Sequence, residues 1–140
     1  MEEEEYVNIP NNKSQITNKS KYLMGNSKKY DLEERTLKFA LDVIQFIKII
    51  PRNIANNEIA KQVIRCSGSI GANYIEANEA LSKKDFIMRI KICRKESKES
   101  TYWLKLIESK NNEQDKNRDS LIDEATQLTK IFNAILEKSK

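Results

Sequence analysis

The sequence has no histidine, three glycines and two prolines in 140 residues. Without histidine it lacks the side chain best suited to acid–base work near neutral pH, and the commonest metal ligand. So little glycine and proline leaves few turn-formers for a β-rich fold, so helix is the expected state. Cysteine is also scarce. Cys66 and Cys93 lie far apart, with no CxxC pair between them. A zinc site needs several ligands at close spacing. Both cysteines fall on apolar positions of helical patterns and read as small buried hydrophobes in a reducing compartment. No stretch approaches the ~20 apolar residues of a membrane-crossing helix. The N-terminus is acidic, Glu2 to Glu5, where a secretory signal carries positive charge ahead of an apolar run. These absences predict a cytoplasmic protein with no cofactor, no metal and no membrane partner.

The length suits one folded domain, large enough to bury a core without staples. Residues 1–29 read as a disordered tail. The Glu run and the Asn-, Lys- and Ser-rich stretch after it cannot bury enough apolar surface to offset the entropy of ordering. The folded part, residues 30–140, reads as an all-α, antiparallel up-down-up-down four-helix bundle. The first helix is expected to start near Asp31, where Asp31 and Glu34 have capping-box spacing, and to stop at Pro51. Two apolar stripes cover it, Leu37, Ala40, Leu41, Ile44 and Ile47 beside Phe39, Val43, Phe46 and Ile50. Together they span about 220°, well beyond the ~100° face of an ordinary surface helix. A helix that apolar is central in its bundle or covered by a second subunit.

A second helix is expected from Asn53 or Asn56 to Ala80, with Ile59, Val63, Cys66, Ile70, Tyr74, Ala77 and Leu81 in phase. Ser67, Gly68 and Gly71 interrupt it chemically. Two glycines inside a helix cost about 1 kcal/mol each relative to alanine, and the usual return is close approach of another backbone. A break at Gly68 is the alternative, but the apolar period keeps its phase across the site, which predicts a continuous helix. Ser82 with Asp85 caps a third helix almost at once. Its core side carries Phe86, Ile90, Cys93, Ser97, Ser100, Leu104 and Ile107, widened by Ile87, Met88, Ile92, Trp103 and Leu106. Residues 111–118 read as a polar loop. Ser120 with Asp123, or Asp119, then opens a last helix reaching about Lys138.

Little here could carry catalysis. Gly68-Ser69-Ile70-Gly71 lacks the strand and spacing of a phosphate loop. Glu76, Glu79, Glu96 and Glu99 suggest the carboxylates of di-iron bundles, but that site pairs Glu with His at i+3 and no His exists. A polar structural network is the better reading. Arg65, Asn73, Glu76, Glu96 and Glu99 lie on or near interior-facing edges, and buried charge is tolerated only when paired. Arg–Glu pairs between the second and third helices are therefore expected.

The third helical segment, residues 82–110, holds nine basic and four acidic residues, a net +5, while the whole chain nets +4. The positive charge is thus concentrated here. It reads either as an ordinary solvated face or as a phosphate-binding surface whose spaced cations neutralise backbone charge without reading sequence. The candidate contacts are Lys83, Lys84, Arg89, Lys91, Arg94, Lys95 and Lys98, with Arg94 also a candidate for an internal ion pair. The rival reading is a protein-docking module whose basic face takes an acidic partner.

Three stretches resemble one known family. They are Tyr30-Asp31-Leu32-Glu33-Glu34-Arg35-Thr36, then Arg65 and Ser67 through Ala77, then Lys95-Glu96-Ser97-Lys98-Glu99-Ser100 with Tyr102-Trp103-Leu104. This is the four-helix bundle protein family that includes proteins encoded by intervening sequences in bacterial large-subunit rRNA genes, long called S23 ribosomal proteins. The resemblance covers residues 30–106 closely and the last helix loosely. It implies an antiparallel bundle that assembles as a ring-shaped homopentamer, with no enzyme activity. It also implies kinship with the accessory variability protein of diversity-generating retroelements, a basic pentamer that binds nucleic acid and a reverse transcriptase. The expected partners are therefore further copies of the chain, RNA or DNA without sequence specificity, and a reverse transcriptase.

Overall fold

A computed structural model describes residues 24–140. Among these residues there are four α-helices and no strand: α1 (Met24–Ile49), α2 (Ile54–Asn78), α3 (Lys83–Leu106) and α4 (Asn112–Lys138). The chain divides into two compact units, Met1–Leu32 and Glu33–Lys140. The described part of the first, residues 24–32, is helical. The second holds the rest of α1 and the other three helices.

Helix starts follow the local chemistry. Asn53 caps α2, its side chain accepting from the Asn56 amide at 2.8 Å. Ser82 caps α3, its Oγ accepting from the Asp85 amide at 3.1 Å. Helix α2 runs unbroken through Gly68 and Gly71. Two expected starts are overturned. Helix α1 begins at Met24, so Asp31 and Glu34 lie inside it and cap nothing. Once a helix is nucleated, adding residues is cheap, and no proline stands between Met24 and Tyr30 to stop it. The expected tail lies outside the described residues up to position 23, and residues 24–29 are helical. The loop expected over residues 111–118 is the start of α4. Asn111 caps it by accepting from the Gln114 amide at 2.9 Å, and Glu113 and Asp115 suit the positive end of the helix dipole.

The core takes one face from each helix. Phe39, Val43, Phe46 and Ile50 are buried from α1 and the residue after it. Val63, Cys66, Ile70, Tyr74 and Ala77 are buried from α2, and Ile90, Cys93 and Leu104 from α3. Leu121, Ala125, Leu128, Phe132 and Leu136 complete it from α4. Tyr74 and Phe132 meet across the interior with ring centroids 5.8 Å apart. Leu81, Met88 and Leu106, expected on apolar faces, are exposed instead. Leu81 has left α2 and lies in the connection to α3, while Met88 and Leu106 fall on the outer side of α3.

Cross-helix contacts tie the elements into a four-helix bundle. Helix α3 packs along both α2 and α4. Helix α1 meets α2 where Glu33 accepts from Asn78 at 2.9 Å, and it meets α4 through a two-pronged Arg35–Glu124 pair at 2.7 and 2.9 Å. Two buried amides join the connections at one end. Asn56 donates to the carbonyls of Pro51 and Glu108 and accepts from the Glu108 amide, all within 3.0 Å. Gln114 donates to the Ile49 carbonyl at 2.8 Å and accepts from the Lys110 amide at 2.9 Å. Buried backbone groups that face no water are satisfied by these two side chains.

Candidate nucleic-acid interface

The outer side of α3 is a row of lysines. Lys84, Lys91, Lys95, Lys98 and Lys105 recur at spacings of three, four and seven, which place them along one helix face. All five are exposed, as is Lys83 at the first turn. From Lys84 to Lys105 the row is ~31 Å long at the rise of an α-helix. Among the described residues none of these lysines is ion-paired; the lysines that do pair, Lys38, Lys61 and Lys140, lie on other elements. Lys83, Lys84, Lys91, Asp85, Ile87 and Met88 line a shallow open depression over the first turns of α3.

The lysines stay unneutralised because the acids at the middle of α3 are engaged elsewhere. Arg65 of α2 reaches Glu96 at 3.3 Å and pairs tightly with Glu99. Its Nε donates to Gln62 at 3.2 Å. Glu99 also accepts from the Trp103 indole at 2.9 Å. Glu96 is nearly buried while Arg65 is half exposed. The guanidinium thus bridges the buried Glu96, which has no other cation among the described residues, to the more exposed Glu99, and links α2 to α3.

Other sequence-expected residues lie elsewhere. Glu76 is exposed and, among the described residues, takes no part in this network. On the outer side of α2 it is open to solvent and needs no arginine. Asn73 donates to the Ser69 carbonyl and hydroxyl, both at 2.9 Å, and accepts from Arg89 at 2.9 Å. Arg89 is therefore half-buried at the α2–α3 seam and sits apart from the lysine row. Arg94 donates to Asn133 of α4 at 2.9 Å, so its partner is a neutral amide and the expected ion pair does not form. Both arginines lie on the flanks of α3, where long side chains meet the neighbouring helices.

The two glycines part company. A Cβ on Gly71 would lie 2.9 Å from Thr36 Oγ1 and 3.3 Å from Thr36 Cβ, so α1 and α2 approach closely there. Ser67, one turn earlier, is buried. A Cβ on Gly68 would meet nothing within 4 Å, which overturns its expected role in close packing within the chain. Gly68 sits on the outer side of α2, between Ile64 and Ile75, which are 43% and 50% exposed. Across the seam, Leu37, Leu41 and Ile44 of α1 are 61%, 50% and 36% exposed. These five side chains and Gly68 flank the α1–α2 seam as one apolar strip.

Both thiols are buried. Cys93 donates to the Ile70 carbonyl at 3.4 Å, and burial pushes its pKa up to about 12. Burial also raises Cys66, whose sulfur accepts from Ser100 at 3.2 Å. Neither is poised as a nucleophile. Among the described residues no cluster of acids and cysteines could hold a metal ion, and no helix is long and apolar enough to cross a membrane.

Residues 28–134 match the model of the 23S rRNA-intervening sequence protein family. A solved structure of a protein of unknown function from the S23 ribosomal protein family of Bacteroides thetaiotaomicron VPI-5482 is similar, with 31% sequence identity and a TM-score of 0.65. The match covers 79% of this chain and 98% of that one. No curated protein matches the chain. The family match spans most of the sequence and every helix of the bundle, and on that ground the chain belongs to the 23S rRNA-intervening sequence protein family.

Proposed function

We propose that this protein is a non-enzymatic up-down-up-down bundle that assembles with copies of itself and binds nucleic acid along the outer side of α3. The observation that carries the binding role is the unpaired lysine row, Lys84, Lys91, Lys95, Lys98 and Lys105. A row of free ammonium groups neutralises phosphates and releases their counterions whatever the base sequence. The antiparallel order is supported by the pairing of Glu33, in the first half of α1, with Asn78 at the end of α2, and by that of Ile49, at the end of α1, with Gln114 near the start of α4.

Assembly is supported by the apolar strip of Leu37, Leu41, Ile44, Ile64 and Ile75 around Gly68. An exposed glycine inside a helix costs about 1 kcal/mol, and among the described residues no contact requires it. A second copy packed against the strip would bury the apolar side chains and use the missing Cβ for close approach. The family resemblance implies five copies. Because α1 packs on α2 and α4, and α3 packs on the same two helices, the assembly strip and the lysine row lie on different sides of the bundle. A ring would then repeat the basic row around its rim and multiply its field.

Light scattering with and without a short RNA tests both halves. The expected result is a mass of several chains that rises with RNA at low salt and falls back at high salt. The affinity should fall log-linearly with salt, at a slope of roughly −3 to −4 for five lysines on one strand. A single-chain mass refutes assembly. Failure to bind RNA at low salt, or binding that ignores salt and depends on a few apolar anchors, refutes the phosphate reading and favours an acidic partner protein.

A further inference from the structure

We infer that the α3 row takes a single-stranded polynucleotide and that Tyr102 is the platform on which one of its bases stacks; this rests on the nucleic-acid reading above. Tyr102 is 59% exposed and stands in the row itself, four residues after Lys98 and three before Lys105. A tyrosine on the outer face of a bundle buries little of its ring and contributes little to the core.

The ring is nevertheless held. Its neighbour Trp103 meets it edge-on, with centroids 5.1 Å apart and planes at 79°. Trp103 is fixed in turn by its indole hydrogen bond to Glu99, and Glu99 by its pair with Arg65. The chain of contacts Arg65–Glu99–Trp103–Tyr102 therefore ends in an exposed aromatic ring already oriented among unpaired lysines. A base stacking there need not order a free side chain, so less of the gain is lost.

The geometry favours a single strand over a duplex. One straight row of cations follows one phosphate backbone. In a duplex the bases are stacked on each other inside, and an exposed ring finds no free base face. A single strand offers unstacked bases beside its phosphates, and sites for such strands combine a basic track with aromatic platforms. Every base has a π-face, so the site tolerates any sequence.

The test measures fluorescence anisotropy with a short pyrimidine-rich single strand and with its blunt duplex, using the full-length chain. The wild type should bind the single strand more tightly. Tyr102→Ala should weaken single-strand binding by roughly 5- to 100-fold, while Tyr102→Phe, which keeps the ring face, stays close to wild type. The salt slope of Tyr102→Ala should equal that of the wild type, because the phosphate contacts remain. Equal affinity for the two probes, or an unchanged affinity in Tyr102→Ala, overturns this inference and leaves the phosphate-binding reading standing. Binding of neither probe overturns both.

Discussion

Gly71 and Gly68 lie three residues apart on one helix and should respond in opposite directions to the same substitution. Alanine at either position gains about 1 kcal/mol of helix propensity over glycine. At Gly68 the new methyl meets nothing within 4 Å, so the gain is kept. At Gly71 it would lie 2.9 Å from Thr36 Oγ1, closer than real methyl contacts come. Thr36 is almost fully buried, and its hydroxyl donates to the Glu33 carbonyl at 3.1 Å, so it cannot swing away without losing that bond. Overpacking of this kind costs typically 1–3 kcal/mol. Because the propensity gain is common to both variants, the difference between them isolates the clash.

The assay is urea unfolding followed by circular dichroism, at protein concentrations low enough that assembly does not contribute. Gly71→Ala should be less stable than Gly68→Ala by about 1–3 kcal/mol. For a domain of this size that separates the melting temperatures by about 3–6 °C per kcal/mol. Adding Thr36→Ala to Gly71→Ala removes the nearest atom and should recover about 0.5–3 kcal/mol of coupling. If Gly71→Ala is stabilised as much as Gly68→Ala, the close approach of α1 and α2 is refuted.

Two further outcomes are expected. Burial holds the Cys93 thiol protonated up to about 12, whereas the unfolded chain's thiol ionises from about 9. The stability this provides is intact below pH 9 and declines as pH rises toward 12. Urea midpoints of the wild type should therefore fall faster with pH over that window than those of Cys93→Ala, and parallel curves would contradict the burial. Asn56→Ala strands the carbonyls of Pro51 and Glu108 and the Glu108 amide. It should cost about 2–3 kcal/mol in urea unfolding, against a few tenths for the exposed neighbour Asn57→Ala.

Much of the bundle was legible because apolar spacing and cap chemistry are local. Phe39, Val43, Phe46 and Ile50 recur at helical spacing and are buried, and Asn53 and Ser82 mark the starts of α2 and α3. The first turns of α4 were hidden because what they bury is an amide. Gln114 sits in a run of polar residues with no apolar period, and its value appears only when the Ile49 carbonyl is brought to it. The choice among glutamates was hidden for a related reason. Charge counting offers Glu96 and Glu99 of α3 to Arg65 and offers Glu76 of α2 to an arginine of α3, and only the register of α3 against α2 shows that the first pairing forms while, among the described residues, the second does not. Gly68 and Gly71 are both helix-interior glycines, and which of them a neighbouring helix approaches is a property of the packed pair of helices. In the sequence Tyr102 stood only within a stretch of family resemblance, with nothing to set it apart as a contact. It stands out once the lysines around it are seen to be unpaired and Trp103 is seen to hold it.

The separation of the two faces makes the link between assembly and binding testable without touching α3. Leu41 lies in the apolar strip, is half exposed, and contributes little to the core of its own chain. Leu41→Glu should therefore leave the melting temperature of the single chain within the range of an ordinary surface change, about 0.5 kcal/mol. In an assembly the same carboxylate would be buried without a partner, which costs several kcal/mol, so the mass in solution should fall to one chain. The lysine row is then intact but no longer repeated. A strand short enough to fill one row should bind the variant as well as it binds one row of the wild type. A strand long enough to span several rows should lose the effective-concentration gain of a second contact, on the order of 10²-fold or more. Equal loss for both lengths would mean that Leu41 acts on the row directly. No loss of mass would mean that the exposed strip on α1 and α2 is not where the copies meet.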